Sequence, residues 1–260
     1  MYNKPIYLTS DVHLGAVGEE TQSSFIDWLE WAASRGDQII INGDLFDFWF
    51  EFRNGIPSGY TKSLSCLQSV VQNGVPITLI GGNHDWWGGK YLREEVGITF
   101  EQDPLLLELA GYRTFIAHGD GLGRGDLIYK CFKYFLHSKF LINLFSILEP
   151  KLGTWIAECV SRTKEKALNP CWQKYNRSES LKQWASGQLA REPCWDLIFL
   201  GHTHVPSIEQ MGTDRYYINT GDWLYHQSFA ILKYGQKPCL YSWKNGQKIS
   251  LFSETSSREH

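Results

Sequence analysis

Five of the eight histidines lie in short clusters that also carry carboxylate, amide or glycine residues. In chain order the clusters are Asp11-x-His13, Gly43-Asp44, Gly82–Asp85, His118–Asp120 and Gly201–His204. Carboxylates, amides and imidazoles are ligands for divalent metals such as Mn, Fe and Zn, and glycine lets the backbone turn sharply beside them. The clusters therefore predict a metal site with carboxylate, amide and imidazole ligands.

The spacing within two clusters favours a pair of metal ions. Residues i and i+2 of an extended or turning segment point the same way, so Asp11 and His13 can reach one ion, and so can His202 and His204. A shared carboxylate such as Asp44 would hold the two ions roughly 3.5–4 Å apart, close enough to grip one phosphoryl group and activate water. Each cluster alone is also typical of a turn or of a structural histidine. Together, in order, they favour metal-assisted phosphoester hydrolysis.

The first half of the chain has the pattern of alternating strands and helices that would position these clusters. Apolar runs at 6–8, 38–42 and 76–80 predict buried strands, and the helical periods at 22–35 and 60–73 predict crossover helices. This order implies a parallel sheet covered on both faces. Ligands bind at the carboxyl ends of such strands, which is where the first three clusters fall.

The second half has a different pattern. Residues 105–109 and 114–117 predict a hairpin, and 126–192 have a mainly helical pattern. Further strands are predicted at 197–200, 216–218, 229–232, 240–243 and 249–252, with Asn245-Gly246 as a hairpin turn between the last two.

Composition excludes several classes of protein. The chain has 260 residues, 43% of them hydrophobic and 20% charged, as expected for one globular domain with an insertion. A net charge of −3 argues against nucleic acid as a partner. Six irregularly spaced cysteines, the lack of an apolar signal segment and the lack of a membrane-spanning run lead us to expect a cytoplasmic protein.

The clusters also carry a family resemblance. The segments SDVHLG, GDLFD, GGNHD, AHGD and GHTH resemble, in order, the motif set of the calcineurin-like metallophosphoesterases. The resemblance implies a four-layer αββα sandwich and two divalent metal ions that share Asp44. One ion would be held by Asp11, His13, Asp44 and His204, and the other by Asp44, Asn83, His118 and His202. We expect Mn²⁺, with Fe or Zn as alternatives.

The same resemblance assigns catalytic roles. His84 would contact the phosphate or protonate the leaving oxygen, and Asp85 would orient His84, as carboxylates often fix an imidazole tautomer. Asp47 is either a carboxylate behind the ligands or a residue that starts a helix.

A narrower resemblance comes from SDVHLG with GDLFDFWF, and from AHGDGLGRGD before the long helical segment. These features resemble the UDP-2,3-diacylglucosamine diphosphatases of lipid A biosynthesis. The resemblance implies hydrolysis of the pyrophosphate of UDP-2,3-diacylglucosamine, giving UMP and a diacylglucosamine 1-phosphate. The chain departs from the subfamily at His84, where its best-known members carry arginine.

Residues 124–192 are expected to form a helical lid inserted in a single domain that spans 1–260. This segment has twelve Lys and Arg against six Asp and Glu, a charge of +6 in a chain of net charge −3. Its apolar blocks predict a groove for acyl chains, and its cations would face substrate phosphates and an anionic membrane surface, so that the protein is peripheral on the inner membrane. The candidate substrate-binding residues are Arg124, Lys133, Arg162 and Lys166. A helical subdomain with its own small core and a solvated basic face explains the pattern almost equally well.

Two other functions remain open at this point. A phosphodiesterase of the same family could act on a cyclic nucleotide or another nucleotide-linked small molecule. A non-catalytic scaffold that retains bound metal is the alternative from a different class. The intact set of presumed ligands and His84 favour an enzyme.

Overall fold

Two β-sheets form the centre of the computed structural model, which describes residues 4–123, 135–161 and 173–252. In chain order the described elements are β1 (Ile6–Thr9), α1 (Glu19–Ala33), β2 (Gln38–Asn42), α2 (Thr61–Gln72), β3 (Ile77–Ile80), a one-turn π-helix (Tyr91–Val96), β4 (Thr99–Glu101), β5 (Leu105–Leu109), β6 (Tyr112–Ile116), α3 (Lys139–Phe145), α4 (Pro150–Ser161), α5 (Gln173–Arg191), β7 (Leu197–Leu200), β8 (Ser207–Gln210), β9 (Tyr216–Asn219), β10 (Ser228–Leu232), β11 (Cys239–Lys244) and β12 (Gln247–Ser250).

The first sheet has the strand order β12-β11-β10-β1-β2-β3-β4, and the second has the order β5-β6-β7-β9-β8. Strands β1, β2, β3 and β4 are mutually parallel, and so are β6, β7 and β9. The remaining strands join antiparallel at the edges. Each sheet therefore contains a set of neighbouring parallel strands whose carboxyl ends lie on the same side of the sheet.

The strand residues alternate between two hydrophobic cores. Ile6, Leu8 and Ile40 of the first sheet face Phe199 and Ile218 of the second, in a core between the sheets. The opposite face of the first sheet packs against α1 and α2. The opposite face of the second packs against α5. The result is the four-layer αββα sandwich that the resemblance implied.

Most of the predicted strands and helices are present with small shifts at their ends. The turns of the two predicted hairpins are Ala110-Gly111 and Asn245-Gly246. Both residues of each turn have positive φ (50° and 88°; 50° and 72°), as a two-residue hairpin turn of type I′ requires. Strands β4 and β8 were not predicted. The first has three residues and the second is a partly exposed edge strand, so neither gives a clear hydrophobic pattern.

The helices between β6 and β7 do not behave as one unit. Leu181, Ala185 and Leu189 of α5 are buried against the second sheet, so this helix forms an outer layer of the sandwich. In contrast, α3 and α4 pack on an aromatic loop formed by Phe48, Phe50 and Phe52. We call α3 and α4 the lid helices. None of the described helices has the length and apolar composition needed to cross a membrane.

Candidate metal centre

The seven predicted ligands meet where the parallel strands of both sheets end. Asp11 and His13 follow β1, Asp44 follows β2, and Asn83 follows β3. From the second sheet, His118 follows β6, while His202 and His204 follow β7. Because the carboxyl ends of these strands share one edge of the sandwich, the structure brings all seven side chains together.

The backbone at this edge has an uncommon conformation. Asp11, His13, Asp44, His202 and His204 have φ values of 53°, 52°, 52°, 68° and 60°. Positive φ costs a non-glycine residue about 1–3 kcal/mol and concentrates at functional sites. Of the two conformations that the D-x-H spacing allowed, extended and turning, the segment from Asp11 to His13 adopts the turning one, with left-handed backbone at both residues.

Asp44 lies at the centre of the cluster. Its Oδ2 atom is 3.2 Å from His118 Nε2, 3.8 Å from His13 Nε2 and 4.0 Å from His84 Nε2. The side chain is almost completely buried. A buried carboxylate surrounded by imidazoles can accept bonds from two sides, as a bridging ligand does.

A second group of ligand atoms surrounds Asp11. Its Oδ1 atom lies 3.4 Å from His204 Nε2, which in turn lies 3.3 Å from His13 Nε2. Among the residues that the structure describes, Asp11, His13 and His204 form one of three overlapping sets whose ligand atoms are all within 4.8 Å of one another, a spacing that fits shared binding of a cation. The other sets are His13, Asp44 and His84, and Asp11, Asp44 and His118.

Asn83 and His202 complete the site. Asn83 Oδ1 is 2.9 Å from His202 Nδ1, and the backbone N–H of His202 donates to both oxygens of Asp11 at 3.1 Å. These contacts join the first sheet to the second, so the predicted amide ligand and the predicted imidazole ligand lie side by side.

Hydrogen bonds behind the rings determine which nitrogen faces the centre. His118 Nδ1–H donates to the Asn42 carbonyl oxygen (2.8 Å), and His84 Nδ1–H donates to the Asp47 carbonyl oxygen (2.6 Å). A carbonyl oxygen only accepts, so Nδ1 carries the proton and Nε2 is directed inward. His118 Nε2 is buried, and its approach to Asp44 lacks hydrogen-bond geometry, which leaves it suited to a metal ion.

Electrostatics in the metal-free site follow from burial and close charges. Burial would raise the pKa of Asp44, but His118 and His84 hold it well below its usual value. Burial opposes charge on His118, yet Asp44 raises the pKa of that ring well above its usual value. Burial and the charge of His118 lower the pKa of His202 to about 3, and burial also lowers the pKa of His13. Two rings are therefore neutral near pH 7, as metal ligands must be.

Asp85 differs from the expectation that it orients His84. Its Oδ1 accepts from the backbone N–H groups of Gly82 (2.7 Å) and Asp44 (3.2 Å), and its Oδ2 accepts from those of Leu45 (2.7 Å) and Phe46 (3.3 Å). The side chain is completely buried, and burial together with Asp44 raises its pKa to about 6. Asp85 holds the loop that presents Asp44, and the orienting contact to His84 comes from the Asp47 carbonyl oxygen.

Asp47 also stands behind a second histidine. Its Oδ1 atom lies 3.4 Å from His13 Nδ1 and 3.7 Å from His84 Nδ1. This places the carboxylate behind the predicted ligands, which is one of the two positions expected for it.

Glycines allow the close approach of these loops. A Cβ atom on Gly43 would collide with the His118 ring, and one on Gly82 would collide with the Asp44 carboxylate. Gly43 also has a φ of 80°. Side chains at either position would displace Asp44 or His118.

Comparison with known proteins agrees with this geometry. A family model described as calcineurin-like phosphoesterase matches residues 4–206. The chain belongs to this phosphoesterase family. Family membership implies a hydrolase that uses divalent metal ions, and the buried imidazole and carboxylate atoms described above fit such ions.

Several relatives of this phosphoesterase are named for a specific substrate, UDP-2,3-diacylglucosamine. A UDP-2,3-diacylglucosamine hydrolase of Porphyromonas gingivalis is 29% identical over 243 residues, covering 87% of this chain and 93% of the relative. One from Actinobacillus succinogenes is 31% identical over 221 residues, covering 84% of this chain and 91% of the relative. The predicted resemblance is confirmed.

The fold of the phosphoesterase is also shared with a solved structure. Vacuolar Protein Sorting 29 from Cryptosporidium parvum superposes with a TM-score of 0.50 at 14% identity, covering 99% of this chain and 100% of the other. This likeness concerns the fold alone.

Some predicted site residues of the phosphoesterase cannot be placed. Arg124, Lys133, Arg162 and Lys166 lie outside the described residues, so their binding of substrate stays a prediction.

One buried carboxylate beside the predicted ligands, Asp222, was not predicted from the sequence. Asp222 Oδ2 accepts from His204 Nδ1 at 3.0 Å, and the residue is completely buried. It follows β9 in the order strand, glycine, aspartate, which is the signal that pointed to Gly43-Asp44.

Proposed function

We propose that this protein hydrolyses a phosphate anhydride with two divalent metal ions that share Asp44. The observation that carries the proposal is the overlap of three sets of ligand atoms around Asp11, His13 and Asp44. In the proposed assignment Asp11, His13, Asp44 and His204 hold one ion, and Asp44, Asn83, His118 and His202 hold the other. Nitrogen and oxygen ligands in this mixture suit Mn²⁺, and also Fe or Zn.

Bound divalent ions supply positive charge that stabilises the phosphoryl transition state and activates water. The protein contributes the remaining groups. His84 is held through Nδ1 by the Asp47 carbonyl oxygen, so a proton on Nε2 faces the site and can be donated to a phosphate or leaving oxygen. The Asp47 carboxylate lies behind both His13 and His84, with its Oδ1 atom 3.4 Å and 3.7 Å from their Nδ1 atoms.

The proposed substrate is UDP-2,3-diacylglucosamine, and the proposed products are UMP and a diacylglucosamine 1-phosphate. Relatives with this activity in their names align over most of their own length. The aromatic loop gives independent support, because it begins one residue after Asp47 and packs against the apolar lid residues Ile142, Phe145 and Leu148. A buried apolar cluster therefore adjoins the site where the phosphates would bind.

The lid helices and the connection between them also present apolar side chains to solvent. Phe140 is 77% exposed and Trp155 is 62% exposed, and Leu144 and Ile147 are each 57% exposed. Monomeric soluble proteins rarely expose so many large apolar residues together unless they bind something. We propose that the lid, within residues 124–192, receives the acyl chains and rests on the anionic surface of the inner membrane, with the protein otherwise in the cytoplasm.

Product analysis tests the substrate. Purified protein with Mn²⁺ should release UMP from UDP-2,3-diacylglucosamine, and Asp44→Asn should abolish the release. Matched reactions with UDP-glucosamine, which lacks acyl chains, measure the contribution of the lid: burial of acyl carbons is worth about 0.8 kcal/mol per methylene. Equal kcat/KM for both substrates would contradict the lipid substrate and leave phosphoester hydrolysis intact.

Membrane binding is tested separately. When vesicles of phosphatidylglycerol and phosphatidylethanolamine are sedimented, the wild-type protein should be found in the pellet with them. The double variant Phe140→Glu, Trp155→Glu should remain in the supernatant. The control variant Tyr234→Glu changes a 72% exposed residue in the turn between β10 and β11, away from the lid helices, and it should sediment like the wild type. Equal sedimentation of both variants would contradict docking through the lid helices.

One observation favours a second candidate function. His84 is the position at which the chain departs from the diphosphatase resemblance, and histidine suits phosphodiesterases with poor leaving groups because it can donate a proton. The candidate is a phosphodiesterase acting on a cyclic nucleotide or another nucleotide-linked small molecule. Faster turnover of such esters than of UDP-2,3-diacylglucosamine would establish it.

A further inference from the structure

Asp222 sits behind His204 and has its two oxygens in different surroundings. Oδ2 accepts from His204 Nδ1 at 3.0 Å. Oδ1 accepts from three donors: the backbone N–H groups of Tyr225 (3.0 Å) and His226 (3.2 Å), and His226 Nδ1 (3.0 Å). The carboxylate is completely buried, so each oxygen depends on these donors for its solvation.

The contact decides which nitrogen of His204 carries a proton. A carboxylate oxygen can only accept, so His204 must present Nδ1–H to it. Nε2 of the neutral ring then keeps its lone pair, and this atom lies 3.3 Å from His13 Nε2 and 3.4 Å from Asp11 Oδ1. Two imidazole nitrogens and a carboxylate oxygen therefore converge where a divalent cation is to be held.

We propose that Asp222 is a positioning residue that fixes the Nδ1–H tautomer of His204 and thereby makes Nε2 a metal ligand. The inference deepens the metal site of the proposed function and rests on it. Partners of this kind behind a ligating histidine typically account for 10–100-fold in metal affinity.

The asymmetry of the two oxygens makes Asp222→Asn informative. The single amide oxygen of asparagine is needed at the Oδ1 position, where three donors meet. The NH₂ group then takes the Oδ2 position and donates to His204 Nδ1. His204 is forced into the Nε2–H tautomer, in which Nε2 has no lone pair for a metal. An isosteric change thus blocks the ligand, as the wrong tautomer does in other aspartate–histidine pairs.

Asp222→Ala separates positioning from structural support. Alanine removes the acceptor but imposes no wrong tautomer, since a water molecule can occupy the space. A positioning role therefore predicts that Asp222→Asn weakens metal binding at least as much as Asp222→Ala. A purely structural role predicts the opposite order, because alanine leaves a cavity and three unsatisfied donors while asparagine fills the space.

Two measurements test the proposal without reference to activity. Nitrogen-15 NMR of histidine-labelled, metal-free protein at about pH 9, well above the ordinary pKa of imidazole, reports the tautomer of His204, with the signal assigned through His204→Gln. Calorimetric titration with Mn²⁺ gives the affinity of each ion. We expect Nδ1–H in the wild type, Nε2–H in Asp222→Asn, and a 10–100-fold weaker affinity for one ion in that variant.

His226→Ala is the matched control, because it removes a donor to the same carboxylate on the side away from His204. It should leave the His204 tautomer unchanged. The proposal is overturned by an Nε2–H tautomer in the wild type, by wild-type affinity in Asp222→Asn, or by an Asp222→Ala protein that binds Mn²⁺ more weakly than Asp222→Asn. Failure to release UMP from UDP-2,3-diacylglucosamine would contradict the proposed substrate and leave these readouts standing.

Discussion

The His84→Ala substitution removes a ring whose Nδ1–H donates to the Asp47 carbonyl oxygen over 2.6 Å and whose Nε2 lies 4.0 Å from Asp44 Oδ2. His84 is not among the seven proposed ligands, so we expect the variant to retain both metal ions. What it loses is a charge-assisted hydrogen bond to a phosphate or leaving oxygen. Such a bond contributes about 1.5–3 kcal/mol, and each 1.4 kcal/mol is a factor of ten in rate, which predicts a kcat roughly 10–150-fold below wild type.

The size of the loss also depends on the leaving group. Cleavage of the proposed substrate releases a phosphate monoester, whose second pKa is near 6, so the leaving oxygen needs little protonation. Positive charge at position 84 should then matter more than proton donation. His84→Arg, which restores the residue usual in the diphosphatases, supplies permanent charge without a transferable proton. We therefore expect His84→Arg to exceed His84→Ala with UDP-2,3-diacylglucosamine, and to match His84→Ala with an alkyl phosphodiester.

The assay is steady-state release of UMP, together with metal analysis of each purified variant. An unchanged kcat in His84→Ala would remove His84 from the mechanism. Loss of a bound ion in that variant would make His84 a ligand, which its place in one set of possible ligand atoms allows. A His84→Arg protein no better than His84→Ala on the anhydride would show that proton donation dominates.

Three further predictions concern stability, pH and the lid. In Asp85→Asn the amide NH₂ group would face two of the four backbone N–H groups that Asp85 now accepts from. Urea unfolding should therefore show a free energy of unfolding about 2–6 kcal/mol lower than that of the wild type. A decrease of less than about 1 kcal/mol would contradict the role given to Asp85. The raised pKa of His118 means that the metal-free ring is protonated near neutral pH. Mn²⁺ binding should therefore release a proton and become stronger as pH rises, which calorimetry in buffers of different ionisation enthalpy measures. A Mn²⁺ affinity that does not change with pH would contradict this prediction. The ring centroids of Phe145 and Phe50 are 5.0 Å apart, so Phe145→Ala should lower the free energy of unfolding by about 1–3 kcal/mol at this partly buried position. The same substitution should lower kcat/KM for the acylated substrate more than for UDP-glucosamine. Equal decreases for the two substrates would contradict a role of the lid in acyl recognition.

The convergence of the seven proposed ligands was predictable because the clusters that contain them are local in sequence. Strands such as β1, β2 and β3 are buried on both faces and therefore appear as unbroken apolar runs. The polar cluster after each run marks its carboxyl end, and parallel pairing places those ends together. The sequence could not show how the residues within each cluster are turned, because the left-handed backbone at Asp11 and His13 depends on hydrogen bonds to the neighbouring loop, such as that from His13 N–H to the Asp44 carbonyl oxygen (2.9 Å).

Roles that depend on distant partners were not predictable in the same way. Asp85 follows His84 in sequence, yet its four donors lie in two different loops, so adjacency suggested the wrong partner. Asp222 is 18 residues from His204, and only the pairing of β7 with β9 brings them together. The predicted lid, 124–192, combined two kinds of helix, because amphipathic periodicity indicates that a face is buried but not which surface buries it.

The metal centre and the packing of the two sheets depend on the same polar contacts. The side-chain Nδ2 of Asn42 donates to the carbonyl oxygens of Ala117 (2.8 Å) and Phe199 (3.1 Å) across the interface between the sheets. The main-chain carbonyl oxygen of Asn42 accepts from His118 Nδ1. A shift of one sheet against the other would therefore move His118 relative to Asp44, which the first sheet carries. Because burial leaves these amide groups no water to replace a lost partner, such a shift is costly. The sandwich thus holds the two halves of the ligand set at a fixed separation before any metal binds, which is the preorganisation that transition-state stabilisation requires.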